Sequence, residues 1–311
     1  MKKILFCIGW LVGLHFGLTA QIKTVQEKLG YSKDTKLLII HADDLGVSQS
    51  EDAASIVAME KGSVRSGSIM VPCPWMPDIA AYARNHPDAD LGLHFTLTSE
   101  WEIYKWKPVA PPNETSSIIN KNGFLFSGLD SLYQHGNIAE VEKEIRAQVI
   151  RAKQFGIDPT HFDAHMGCLF GRPEYLEIFL KMGREYKVPI LLNAEGFKMN
   201  YNIDLNKYLT DKDVVVDKIF MAQPDNFKKG MPDFYTGVLK SIQPGLNCIL
   251  LHAAYDNAEM QAVTINHPDY GAAWRQADFD FFTSQTCINL LQQQHIKVIT
   301  WKEIRDKLYR N

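Results

Sequence analysis

In Lys36-Leu37-Leu38-Ile39-Ile40-His41-Ala42-Asp43-Asp44-Leu45-Gly46 an unbroken aliphatic run ends on a histidine and two adjacent carboxylates. The run from Lys36 to Ile40 predicts a buried β-strand, and the polar cluster then stands at its C-terminal end. Two neighbouring carboxylates after a buried strand are costly unless something positive shares them. A divalent cation would do so. The plainer alternative is that Asp44 caps the helix that follows.

The same unit recurs along the chain: a short aliphatic or β-branched run, then a longer segment of helical period, which is the pattern of a parallel sheet with crossover helices. Further strands are predicted at Gly67 to Val71, Leu91 to Phe95, Thr160 to Phe162, Ile190 to Asn193, Val214 to Ile219, Cys248 to His252 and Lys297 to Thr300. About eight strands is the number of a closed (β/α) barrel. Helices are expected over Asn137 to Phe155, with a capping-box-like start at Asn137 and Glu140, over Arg172 to Lys187, and over Trp274 to Gln294. Between Thr98 and Leu132 the pattern gives way to a proline-bearing insertion with Trp101, Tyr104 and Trp106, placed where a barrel enzyme keeps a substrate loop.

Three more polar clusters close predicted strands. Gly92-Leu93-His94 ends one; alone, such a histidine is more often a hydrogen-bonded core residue than a ligand. In His161-Phe162-Asp163-Ala164-His165, period-2 alternation sends three polar side chains to one face. Two imidazoles and a carboxylate so close suit Zn²⁺ or another first-row divalent ion, with one member orienting the others. His252 closes Cys248-Ile249-Leu250-Leu251. In a barrel all four ends converge on one rim, so the set carries more weight than any member. No dinucleotide loop, phosphate loop, Gly-x-Ser-x-Gly elbow or His-Glu-x-x-His helix is present, which leaves attack by metal-activated water as the reaction class.

The chain has 311 residues, 46% of them hydrophobic and 22% charged, which excludes disorder and a disulfide-stapled miniprotein. A net charge of -3 gives no basic field for nucleic acid or anionic membrane. Lys2 and Lys3 precede an apolar run from Ile4 to Leu18 that ends in small residues before Gln21. Residues 1–20 therefore read as a secretory signal, too short for a stable membrane span, and residues 21–311 as one exported domain, periplasmic or extracellular. Cys73, Cys168, Cys248 and Cys287 then remain, too widely spaced for a zinc-finger pattern and expected as buried free thiols. No oligomeric state follows from these features.

Ala42-Asp43-Asp44-Leu45-Gly46, Gly92-Leu93-His94, Asp163-Ala164-His165 with His161 before it, and the strand ending at His252 together resemble the YdjC-like carbohydrate deacetylases, also called the ChbG/HpnK family. The likeness spans roughly Lys36 to Leu308. It implies an α/β fold, a single-domain distorted (β/α) barrel of seven to eight parallel strands with its active site at their C-terminal ends, and metal-dependent removal of acetyl groups from N-acetylated sugars. Carried over by position, it implies Asp44, His94 and His165 as ligands of a divalent ion such as Zn²⁺ or Mg²⁺, Asp43 as general base, His252 as general acid and Arg275 as the orienter of a catalytic carboxylate. His161 and Asp163 are read as residues supporting the ligands, and Trp101 and Trp106 as sugar-stacking or packing aromatics. The family more often has Asn at His41, Phe at Leu45, further histidines in place of Met166-Gly167-Cys168, and Pro-Gly in place of Ala253-Ala254. These changes surround the expected pocket, so they bear on substrate choice. Two rivals stand beside this reading: a metal hydrolase of another bond, such as a phosphoester, and a non-catalytic glycan-binding protein.

Overall fold

The computed structural model describes residues 23–311, so the expected signal segment lies outside the described residues. Seven strands, all parallel, form one sheet: β1 (Lys36–Leu45), β2 (Ser66–Ile69), β3 (Leu91–Phe95), β4 (Phe162–Ala164), β5 (Lys218–Met221), β6 (Gly245–Leu251) and β7 (Ile296–Val298). Their order is β4-β3-β2-β1-β6-β5, with β7 added to β1. β1 is the axis of the molecule. It pairs with β6 from Lys36↔Gly245 to Ala42↔Leu251, with β7 over Lys36 to Leu38, and with β2 from His41 onward.

The expected strand at Ile190 to Asn193 shrinks to a single bridge, Phe162↔Ile190. Pro189 before it has no N–H to give, and Asn193 after it turns its side chain to cap the helix Ala194–Tyr201 by accepting from the Gly196 N–H at 2.7 Å. Even so, Leu191 N–H reaches Phe162 O at 2.9 Å and Val216 N–H reaches Leu192 O at 2.8 Å, so this segment carries the backbone ladder from β4 toward β5. The result is a distorted (β/α) barrel of seven strands, as the family resemblance implies, rather than the closed eight-stranded barrel that the strand pattern predicts.

The helices largely follow the sequence signals. Asn137 caps Ile138–Gln154 with its side chain, although Glu140 turns away to Ser117 instead of closing a capping box. Pro173–Tyr186 ends at Lys187 in the left-handed region. The single late helix expected over Trp274 to Gln294 is two helices, Ala272–Phe282 and Gln285–Gln293, because Ser284 accepts from the Cys287 N–H and starts a new turn. The insertion folds down on Ile138–Gln154, where buried Glu144 accepts from Val109 and Ala110 N–H at 2.9 and 2.8 Å. All four described cysteines are buried and free. Among the described residues no helix is long and apolar enough to cross a membrane.

Candidate active site

Alternation along β1 sends His41 and Asp43 inward and should send Asp44 outward. The register with β2 breaks at this point: Ala42 faces Gly67, yet Leu45 already faces Ile69, three steps on one strand against two on the other. Asp44 takes the extra step with φ 66, followed by Gly46 at φ 90. Aspartate tolerates this left-handed conformation better than most side chains, and such positions cost about 1–3 kcal/mol and cluster at functional sites. The bulge turns both carboxylates into one cavity of about 780 Å³ at the C-terminal ends of the strands.

There Asp44 Oδ1 lies 3.4 Å from His94 Nε2 and 3.3 Å from His165 Nδ1. Each imidazole has its other nitrogen committed. His94 Nδ1 donates to Asp163 Oδ1 at 2.7 Å, and His165 Nε2 donates to Glu100 Oε2 at 2.9 Å. The remaining nitrogen of each ring therefore faces Asp44. The far oxygen of Asp44 is also fixed, since Arg275 Nη2 donates to Oδ2 at 2.8 Å while Nη1 donates to Glu51 Oε2 at 2.8 Å. Of the two Asp44 oxygens, Oδ1 is the one buried with no hydrogen-bond partner. A carboxylate oxygen facing two oriented imidazole nitrogens, once these give up their protons, is a donor set that fits a divalent cation. These three ligand atoms lie within 4.8 Å of one another.

Burial alone would raise the Asp44 carboxyl, but Arg275, with His252 and His165, holds it well below the usual carboxylate range. Burial likewise opposes charge on His165, yet Glu100 and Asp44 push its pKa up to about 10. His41, wholly buried, behaves the same way: against burial, Asp163 and Asp43 push it up to about 10. It is an imidazolium whose Nε2 donates to Asp163 Oδ2 at 3.0 Å, so Asp163 is held between His41 and His94. Asp43 Oδ1 is buried 3.0 Å from the same His41 nitrogen, and the residue also lines the cavity.

His252 follows β6 and faces Asp44, with Nε2 3.8 Å from Oδ2. Its backbone N–H is held by Asp278 Oδ2 at 3.1 Å, and Asp278 in turn accepts from Tyr235 Oη at 2.6 Å. Burial lowers the imidazole to about 4 against the pull of Asp44, so His252 rests neutral.

The structure thus brings Asp43, Asp44, His94, His165, His252, Asp163 and Arg275 to one cavity. His161 does not reach the ligand atoms. It lies one layer deeper, its ring 4.8 Å from that of His41 and stacked on Trp301, with Gly92 providing the room that any Cβ would take from it. Trp101 lines the cavity, but the Arg275 guanidinium covers its ring at 5.4 Å, and its buried indole N–H has no partner. Trp106 lies outside the lining: it is buried, donates its indole N–H to Thr98 O at 2.8 Å, and packs the insertion against the barrel. Sequence reasoning missed Glu100 and Glu51 and gave His41 no role. Glu100 sits in the insertion with no spacing that links it to His165. Glu51 looks like an ordinary acidic first turn of the helix Gln49–Lys61.

The YdjC-like protein family profile matches residues 37–293. A carbohydrate deacetylase of Thermus thermophilus is 28% identical over 292 residues, which covers 91% of this chain and 98% of that protein. A chitooligosaccharide deacetylase of Serratia marcescens is 33% identical over 166 residues, covering 52% of this chain and 62% of its own. Among solved structures, an Enterococcus faecalis protein provisionally described as acting in cellobiose-phosphate cleavage superposes with a TM-score of 0.73 at 21% identity, over 87% of this chain and 99% of that one. That likeness concerns the fold.

Proposed function

This chain belongs to the YdjC-like protein family, and from that premise we propose that it is a carbohydrate deacetylase, hydrolysing the acetamide of N-acetylated sugars or oligosaccharides with the help of a divalent cation. The observation that carries the reading is the unpartnered Asp44 Oδ1 between two imidazoles, each turned toward it by its own carboxylate. Asp44, His94 and His165 would hold the ion, which when bound supplies Lewis acidity to the acetyl carbonyl and to the attacking water.

The remaining work falls to the chain's own residues. Asp43, on the cavity wall, takes a proton from the water as the water oxygen bonds to the acetyl carbon. His41 holds positive charge beside Asp43 and Asp163 and so steadies both carboxylates without entering the cavity. As the carbon–nitrogen bond breaks, the leaving amine needs a proton. His252 would deliver it, and because that imidazole rests neutral, it first takes up the proton that Asp43 drew from the water, which returns Asp43 to its basic form. Arg275 keeps Asp44 Oδ2 occupied, so that only Oδ1 faces the ion. Residues 1–20 would direct the enzyme out of the cytoplasm, where it would meet its glycan.

The test is acetate release from a panel of N-acetylated oligosaccharides with and without chelator. Release that chelator abolishes and added Zn²⁺ or Mg²⁺ restores is expected. Release indifferent to chelator defeats the metal, and binding without release makes the protein a glycan-binding module.

A further inference from the structure

Glu100 reaches His165 from a loop, residues 97–108, whose two stems end on one face of the helix Ile138–Gln154. At the entering stem Gln148 takes both backbone groups of Thr96: its Oε1 accepts from Thr96 N–H at 3.1 Å and its Nε2 donates to Thr96 O at 2.7 Å. Thr96 Oγ1 in turn donates to His94 O at 2.7 Å, so this stem is continuous with the strand end that carries a ligand imidazole. At the returning stem Glu144 accepts from Val109 N–H with Oε1 and from Ala110 N–H with Oε2. The two side chains stand one helical turn apart and are joined, since Gln148 Nε2 also donates to Glu144 Oε1 at 2.9 Å. Inside the loop Trp106 closes back on the entering stem, its backbone N–H donating to Ser99 Oγ at 3.1 Å and its indole N–H to Thr98 O.

Glu144 and Gln148 are wholly buried, and neither lines the cavity. An acid in this place is costly: burial pushes Glu144 up to about 7 against the pull of its two backbone donors, Gln148 and Arg151. An apolar side chain would serve for packing alone. A carboxylate offers two acceptor oxygens, and here both are spent on successive N–H groups that no strand partner takes. One turn earlier, half-buried Glu140 accepts from Ser117 N–H and Oγ at 2.7 Å, but that contact lies beyond the loop. The tip has tethers of its own, Tyr104 Oη to Val47 O at 2.7 Å and Asn266 Nδ2 to Glu102 Oε2 at 2.8 Å, both past Glu100.

We propose that Glu144, with Gln148, is a positioning residue for the metal site: it clamps both stems of the loop and through that loop holds Glu100 against His165. The inference rests on the reading of Asp44, His94 and His165 as metal ligands and adds to it a residue remote from the cavity.

The test is Zn²⁺ binding by calorimetry to the full chain and to Glu144→Gln, Glu100→Gln and the double variant, with hydrogen exchange of residues 97–110 in the metal-free state. Glu144→Gln keeps one acceptor and loses the other. It is expected to weaken Zn²⁺ binding by about 2- to 30-fold and to speed exchange in the loop while the strands stay protected. Because it acts through Glu100, the double variant should bind at most about twofold more weakly than Glu100→Gln alone. Glu140→Gln, which cuts the contact beyond the loop, should leave affinity within about twofold. Gln148→Met removes the partner of the entering stem at similar length and repeats the measurement if Glu144→Gln does not fold. Losses that multiply in the double variant, or affinity unchanged by Glu144→Gln, overturn the proposal. If the unaltered protein binds no Zn²⁺, the metal reading fails by itself and loop exchange decides the clamp: exchange unaltered by Glu144→Gln, or raised evenly over the whole chain, overturns it.

Discussion

His161 and His165 lie four residues apart, and the barrel puts them at opposite ends of the same problem. At the floor, His161 shares its Nδ1 with Thr160 Oγ1 at 2.9 Å and stacks on Trp301, while the neighbouring Asp90 accepts from Trp301 and Lys302 N–H at 2.7 and 3.1 Å. Those carboxylate oxygens are spent on the start of the helix Trp301–Ile304, and burial keeps His161 below its ordinary pKa. At the rim, the acids around His165 outweigh burial, and one oxygen of Asp44 is left with nothing to bind. Residue type is the same in both places. What differs is the atom left over: at the floor it is Nε2 of His161 itself, a single buried imidazole nitrogen, whereas at the rim it is a carboxylate oxygen of Asp44 with two imidazoles beside it.

The sharpest way to break this contrast is at Asp43. Asp43→Asn keeps the size of the side chain and removes the base, so turnover should fall by about 10²–10⁴-fold while metal content is retained. Acetate release beside metal analysis checks it, and undiminished turnover would remove Asp43 from the reaction.

A smaller effect is expected at Glu100, which touches only His165. Glu100→Gln keeps a hydrogen-bond acceptor but loses the charge, and metal affinity should weaken by roughly 10–100-fold, as calorimetry would report. Unchanged affinity would mean that His165 needs no orienter.

Affinity should also depend on pH, in a direction the protonation states set. His165 keeps its proton up to about pH 10, and His94 is raised as well, burial being outweighed by Asp163 and Asp43. A ligand imidazole must be neutral, so binding near pH 7 displaces protons, and affinity rises with pH by up to about tenfold per unit for each proton displaced. Calorimetry in buffers of different ionisation enthalpy counts those protons; zero release contradicts the assignment.

The smallest effect belongs to the floor. Asp90→Asn keeps one acceptor oxygen and replaces the other with an amide donor, so one of two backbone N–H groups loses its buried partner, which should cost about 1–3 kcal/mol of stability. A lowered melting temperature with metal affinity unchanged within about twofold is the expected result. A loss of metal binding as large as that of Glu100→Gln would show the two ends to be coupled through His161 and His41.

Much of this was legible in the chain itself. The aliphatic runs of β1, β3 and β6 announce strands, and their polar endings put Asp43, Asp44, His94 and His252 on one rim, because a parallel barrel gathers all C-terminal strand ends. Alternation likewise sent His161, Asp163 and His165 inward. It could not say that they fall in different layers, nor that one face of Trp101 is covered and Trp106 excluded.

The sequence by itself determined the parallel α/β architecture and gathered the polar strand ends on one rim, since both follow from local period and residue chemistry. Tertiary structure alone decided which acid serves which base. Glu100 meets His165 and Arg275 meets Asp44 and Glu51 across long stretches of chain, and Asp44 enters the cavity only through a bulge against β2. Those pairings depend on where crossover helices and an insertion return to the rim, a sum of many weak packing choices that no local pattern encodes.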